Sequence, residues 1–168
     1  MATDARIAAD RAIDWALEWV GSPAYATRCL AFVEDAVERA NDVEVFGGDD
    51  AAESAKIYDA GSRTTPPPRG AFVFYRAEGA ILGRRRDWGH VGLSVGEGAV
   101  IHAWDRVRLD DYLAIPTLAP APGWGHPVWL GWAPLERVLA GSRAQVWADD
   151  PAAAAELQQR QRIIGGTD

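Results

Sequence analysis

The chemistry open to this chain starts from a short inventory: one cysteine, Cys29, and three histidines, His90, His102 and His126, in 168 residues. Cys29 leads a run, Cys29, Phe32, Val33, Ala36, Val37 and Ala40, whose three- and four-residue spacing predicts an amphipathic helix closed by Asn41-Asp42. A thiol at the start of a helix meets unpaired backbone N–H groups and the positive end of the dipole, which favour the thiolate and lower its pKa. His90 and His102 flank Gly96-Glu97-Gly98, a tight turn between antiparallel strands. With that turn centred on Glu97, a residue at x pairs with about 194 minus x. His102 then faces Gly92, His90 faces Trp104, and both imidazoles project from one face of the sheet with no side chain at Gly92 to separate them. A thiol beside such a pair suits acyl transfer: one imidazole takes the thiol proton and returns it to the leaving amine, and a further polar group orients that ring. Cys29 is the candidate nucleophile, His90 the general base and acid, and His102 the orienting residue.

Helices come first and strands second among the elements that must carry these side chains. Ala9, Ile13, Ala16 and Val20 mark a first amphipathic helix over Asp4 to Val20, capped by Thr3 and stopped by Gly21-Ser22-Pro23. The Cys29 helix is second. After Gly47-Gly48, Asp49 or Asp50 caps a short third helix through Ile57 that ends at Gly61, and Thr64-Thr65-Pro66-Pro67-Pro68 make a stiff extended connector. The period then turns strand-like over Ala71 to Arg76, His90 to Val95, Ala99 to Trp104 and Val128 to Trp132. This order predicts an α+β domain over 1–147, N-terminal helices packed on a small, mostly antiparallel sheet. The alanine- and glutamine-rich stretch 148–168 reads as a helical or poorly structured tail, and Arg84-Arg85-Arg86 as a solvated loop.

The stretches Cys29-Leu30-Ala31-Phe32-Val33, Gly70-Ala71-Phe72-Val73-Phe74-Tyr75 and His90-Val91-Gly92-Leu93-Ser94-Val95-Gly96-Glu97-Gly98-Ala99-Val100-Ile101-His102-Ala103, in that order, resemble the NlpC/P60 superfamily of papain-like cysteine peptidases. The Cys segment is also similar to the related CHAP amidase group. The resemblance implies a papain-like fold, a Cys29-His90-His102 triad, and hydrolysis of amide or isopeptide bonds in a peptide, with stem peptides of the bacterial cell wall as the candidate substrate. Family members commonly read Asp-Cys-Ser-Gly at the nucleophile, where this chain reads Arg28-Cys29-Leu30-Ala31. The family's acidic residue helps hold the substrate's amino end, so an Arg28 facing the cleft would favour a blocked or acidic group there. Tyr25, upstream of Cys29, is a candidate oxyanion donor by the same resemblance. Trp88, Trp104 and Asp105 flank the histidines and are candidate cleft walls. His126, in a Pro/Gly/Trp-rich loop, reads as structural or exposed.

Other readings use the same residues. Cys29, His90 and His102 could ligate zinc with an open fourth position, but no carboxylate-rich or local His-x-x-x-His spacing supports this and no cofactor is expected. Acyl transfer to an amine or alcohol would use the same thioester, and a peptide- or partner-binding module would use the aromatic residues with no chemistry.

Composition bounds the partners. A formal charge of −7 with a single short basic run disfavours a nucleic-acid partner. The first helix, interrupted by Asp4, Arg6, Asp10, Arg11, Asp14 and Glu18, leaves no apolar run for a signal segment or membrane span. As written, the sequence is expected to start in the cytoplasm, with a dedicated export system or an immunity partner as the routes to an extracellular role. A lone cysteine cannot form an internal disulfide.

Overall fold

The computed structural model describes residues 4–61 and 65–147. The tail assigned to 148–168, the Thr3 cap and the first residue of the proline connector lie outside the described residues.

Helix α1 (Ala5–Leu17) starts from Asp4, whose carboxylate accepts from the Arg6 N–H, and buries Ala8, Ala9, Ala12, Ile13 and Ala16 as a continuous apolar stripe. Helix α2 (Cys29–Asn41) begins at Cys29 itself and ends on Asp42 in the left-handed conformation. Helix α3 (Ala51–Ile57) is capped by Asp50, which accepts from the Glu53 N–H. A short helix α4 spans Leu135–Leu139.

The strands are β1 (Val43–Glu44), β2 (Phe72–Arg76), β3 (Glu78–Ile81), β4 (Arg84–Asp87), β5 (His90–Gly96), β6 (Ala99–Ala103), β7 (Val107–Asp111), β8 (Val128–Ala133) and β9 (Arg143–Ala144). Five of them form one antiparallel sheet in the order β7-β6-β5-β2-β8. The class is therefore α+β. Several elements, helix α4 among them, depart from the expectation. Arg84-Arg85-Arg86 lies in a strand rather than a loop, because β3 and β4 pair as an exposed hairpin around Leu82-Gly83. Strand β7 and the β1–β9 pair were not anticipated.

Alternation along the strands sorts the sheet into two faces. Phe72, Phe74, Val91, Leu93, Ile101, Ala103 and Val107 join α1 and α2 in the main core. Val73, Tyr75 and Val100 face the other way and are covered by Ile115, Tyr112, Leu118 and Trp129. His90 and His102 share parity with this second set.

Candidate functional site

The loop before α2 delivers Cys29. The Gly21 N–H donates to the Val107 carbonyl and the Val107 N–H to the Ser22 carbonyl (2.8 and 2.9 Å), tying the exit of α1 to the start of β7. The Arg28 N–H donates to the Tyr25 carbonyl at 2.8 Å, closing a turn in which Thr27 sits at φ 66°. Left-handed backbone is strained for a β-branched residue, and here it lies two positions before the only thiol. Arg28 provides no side-chain cap to α2. The first-turn N–H groups of Cys29 and Leu30 consequently remain for the sulfur, as does the N–H of Val91.

Val91 offers its N–H for a reason of sheet geometry. The Ser94 N–H points toward β2, where it donates to the Ala71 carbonyl, so by alternation the Val91 N–H points toward β6. The β5–β6 ladder runs only from Leu93↔Ile101 to Gly96↔Ala99. The Val91 N–H lies beyond this ladder, and the Cys29 sulfur is its neighbour. Among the described residues no hydrogen bond joins the thiol to the His90 ring. The neighbour of the sulfur on β5 is the backbone N–H of Val91 rather than the His90 imidazole.

Gly89 seats His90. Gly89 adopts φ +74°, and a Cβ there would lie 2.5 Å from the Ala52 backbone nitrogen at the start of α3. Gly92 clears the ground for His102: a Cβ would overlap Val100 Cγ1 and come within 3.1 Å of His102 Cβ. The result is His90 Nε2 at 2.8 Å from His102 Nδ1, both residues buried. His102 Nε2 in turn lies 2.8 Å from Asp110 Oδ2. The Arg108 Nε donates to that same oxygen at 2.7 Å and its Nη2 to Oδ1 at 3.3 Å. Asp110 and Arg108 are the site residues that sequence reasoning missed. The usable signal was the alternation Val107-Arg108-Leu109-Asp110 just after Asp105-Arg106, a turn that would fold a third strand back onto His102.

The other candidates divide. Trp104 stacks edge-on against His90 at 5.1 Å between centroids, and its indole N–H donates to the Ala119 carbonyl. Asp105 is exposed on the rim and pairs with Arg106 and Arg108. Trp88 donates its indole N–H to the Gly79 carbonyl and lies under the Arg86 guanidinium at 3.7 Å, so it serves the β3–β4 hairpin. Tyr25 is not at the cleft: it is fully buried among Trp15, Trp19 and Phe32, and its hydroxyl donates to Asp35 Oδ2 at 2.6 Å. The buried aromatic cluster captures the ring and Asp35 its hydroxyl, so Tyr25 is not an oxyanion donor. Arg28 is half-buried, with Nη1 buried and without a hydrogen-bond partner, and its charge acts on Asp35 and Tyr25. His126 is exposed, its Nδ1 donating to the Leu118 carbonyl at 3.0 Å.

The protonation states also depart from the expectation. Burial pushes the Cys29 thiol up to about 11, outweighing the N–H groups of Val91, Leu30 and Cys29 that pull it down, while the Asp50 carboxylate adds to the rise. Burial and the neighbouring His102 hold His90 well below the usual imidazole range. His102 is lowered by burial against the opposing pull of Asp110. For Asp110, partial burial raises the pKa, but the hydrogen bonds from His102 and Arg108 together outweigh it and the carboxylate stays ionised. The resting site is therefore a neutral thiol and neutral imidazoles beside a carboxylate neutralised by Arg108.

Among the described residues no group of three or more His, Cys, Asp or Glu side chains is arranged to hold a metal ion, and no helix is long and apolar enough to cross a membrane. A scan against protein-family models and a search of curated proteins both return no match.

Proposed function

We propose that this protein is a cysteine hydrolase of papain-like, NlpC/P60 type, cleaving an amide or isopeptide bond of a peptide through a thioester on Cys29. The observation that carries the reading is the convergence of the only thiol, at the first residue of α2 and against the N–H beside His90, with the 2.8 Å His90–His102 contact. Neither feature alone implies chemistry. Together they support the reading of Cys29 as a nucleophile served by a held imidazole.

The neutral resting pair dictates how the first step runs. Cys29 transfers its proton to His90 as sulfur bonds to the carbonyl carbon, so the thiolate forms only as it is consumed. The uncapped first-turn N–H of Cys29 is the candidate donor to the developing oxyanion. The C–N bond then breaks, the amine leaves with the proton from His90, and water activated by the same imidazole releases the acid and restores the thiol. Bacterial cell-wall stem peptides are the leading substrate class. An acyl acceptor other than water would make the protein a transferase by the same intermediate.

The half-buried thiol, which desolvation keeps protonated, favours a peptide-binding module instead. Incubation with stem peptides and with a general peptide library, read by mass spectrometry, separates the two. Cleavage that is lost in Cys29→Ala and slowed more by His90→Ala than by His102→Ala supports the hydrolase. Retained cleavage in Cys29→Ala, or peptide capture with no product, overturns it.

A further inference from the structure

We propose that Asp110, anchored by Arg108, is a positioning residue that acts through His102 to fix which nitrogen of His90 carries the lone pair facing the nucleophile. The inference rests on the cysteine-hydrolase reading for its catalytic meaning, though not for its geometry.

The direction of the hydrogen-bond chain follows from valence. An ionised carboxylate only accepts, so the 2.8 Å contact between Asp110 Oδ2 and His102 Nε2 requires the proton on Nε2. A neutral His102 then has its lone pair on Nδ1. The 2.8 Å contact with His90 must be donated from His90 Nε2. That leaves Nδ1 as the only lone pair on His90, and therefore as its proton-accepting atom. Reversing one member reverses all of them: with the proton on Nδ1 of His102, His90 would accept at Nε2 and present an N–H where a base is needed.

Arg108 makes the arrangement durable. A lone carboxylate against a buried imidazole favours imidazolium, in which both nitrogens donate and the chain runs backward. The guanidinium holds both Asp110 oxygens and offsets that pull. The groups acting on His102 are then His90 from β5, Asp110 and Arg108 from β7, and Asp105 from the turn between β6 and β7. The register supplies the geometry. His102 pairs with Arg108 across the β6–β7 ladder, and Asp110, one pair further along on the same face, reaches diagonally to His102.

The test reads tautomers directly, by long-range proton–nitrogen correlation NMR on histidine-labelled protein, where only three imidazoles need assignment. His102 and His90 are expected to be locked in the Nε2–H form, with His126, whose Nδ1 donates to the Leu118 carbonyl, in the opposite Nδ1–H form. In Asp110→Ala the lock on His102 is lost, and peptide turnover falls by about 10- to 100-fold in kcat with KM little changed. Asp110→Asn keeps the shape if the alanine variant folds poorly. Its amide can donate to Nε2, so the Nδ1–H form of His102 becomes visible. A parent His102 protonated on Nδ1, or an unaltered Nε2–H lock in both variants, overturns the proposal. A locked parent that cleaves no peptide supports the relay and removes the hydrolase reading, whereas a parent that cleaves peptide with His102 unlocked removes the relay alone.

Discussion

Gly92 and His102 face each other across the β5–β6 hairpin, and the 3.1 Å left between a Cβ at Gly92 and the His102 Cβ is too tight to hold both without a shift. Gly92→Ala would also collide with buried Val100. The expected outcome is a loss of about 1–3 kcal/mol in denaturant unfolding, from overpacking, together with a loss of turnover as the His90–His102 contact opens. An alanine variant with parental stability and rate would mean the hairpin yields and Gly92 has no positioning role.

The thiol prediction follows from burial. With a pKa of about 11, Cys29 is almost wholly protonated at neutral pH. Its alkylation by iodoacetamide should therefore climb about tenfold per pH unit from pH 7 and level off only near the thiol pKa. Cys29→Ala provides the blank. A plateau reached by pH 6 would reveal a preformed thiolate–imidazolium pair and reverse the protonation states assigned to the site.

How much of this was legible in the sequence differs by element. The helix start at Cys29 is legible because the three- and four-residue apolar spacing begins at that residue. The hairpin rule of 194 is met by Leu93↔Ile101 and Ser94↔Val100 and fails only at Gly96↔Ala99, where a bulge sits at the turn. Strand β7 escaped because Arg108, Asp110 and Asp111 look like solvent-facing residues. Arg108 and Asp110 instead face the histidine side of the sheet, where each neutralises the other. The thiol pKa escaped for a related reason: position at a helix N-terminus is visible in sequence, whereas the desolvation that overrides it depends on what covers the sulfur. The position of Tyr25 is not legible in the sequence, because four residues upstream of Cys29 says nothing about which way a turn aims a ring.

Arg28 offers a separate test. Its guanidinium acts on Asp35 and Tyr25, so Arg28→Asp would set two carboxylates against each other beside a buried tyrosine. The variant should be less stable by about 1–3 kcal/mol, with Arg28→Gln milder, and the preference between free and acetylated peptide amino termini should be unchanged in Arg28→Gln. A clear switch toward free amines in Arg28→Gln would return this residue to the cleft.

Glu34 and Glu38 lie one turn apart on α2 and face the chain that leads into α3. A Cβ on Gly47 would lie 3.2 Å from Glu34 Oε1 and 2.9 Å from both the Ser54 and Tyr58 hydroxyls, which locates the Glu34 carboxyl beside these groups. Glu38 Oε1 accepts the Val45 N–H at 3.0 Å. Burial, then the charges of Glu38 and Asp35, push Glu34 up to about 8. Burial also takes Glu38 to about 7, opposed by the Val45 N–H, with Asp35 and Glu44 raising it and Arg39 lowering it. Because these are acids whose folded pKa exceeds the unfolded value of 4.5, their stabilising contribution is full below pH 4.5 and is lost as pH rises through about 7 to 8. The unfolded chain releases its protons first, and the folded chain must later ionise two carboxyls a turn apart in a partly dry space. Glu34→Gln, which cannot ionise, should be close to neutral at pH 4.5 and stabilising by on the order of 1–2 kcal/mol at pH 8.5. Urea midpoints for parent and variant at both pH values check this, and an equal difference at the two pH values would mean that Glu34 is not protonated in the fold.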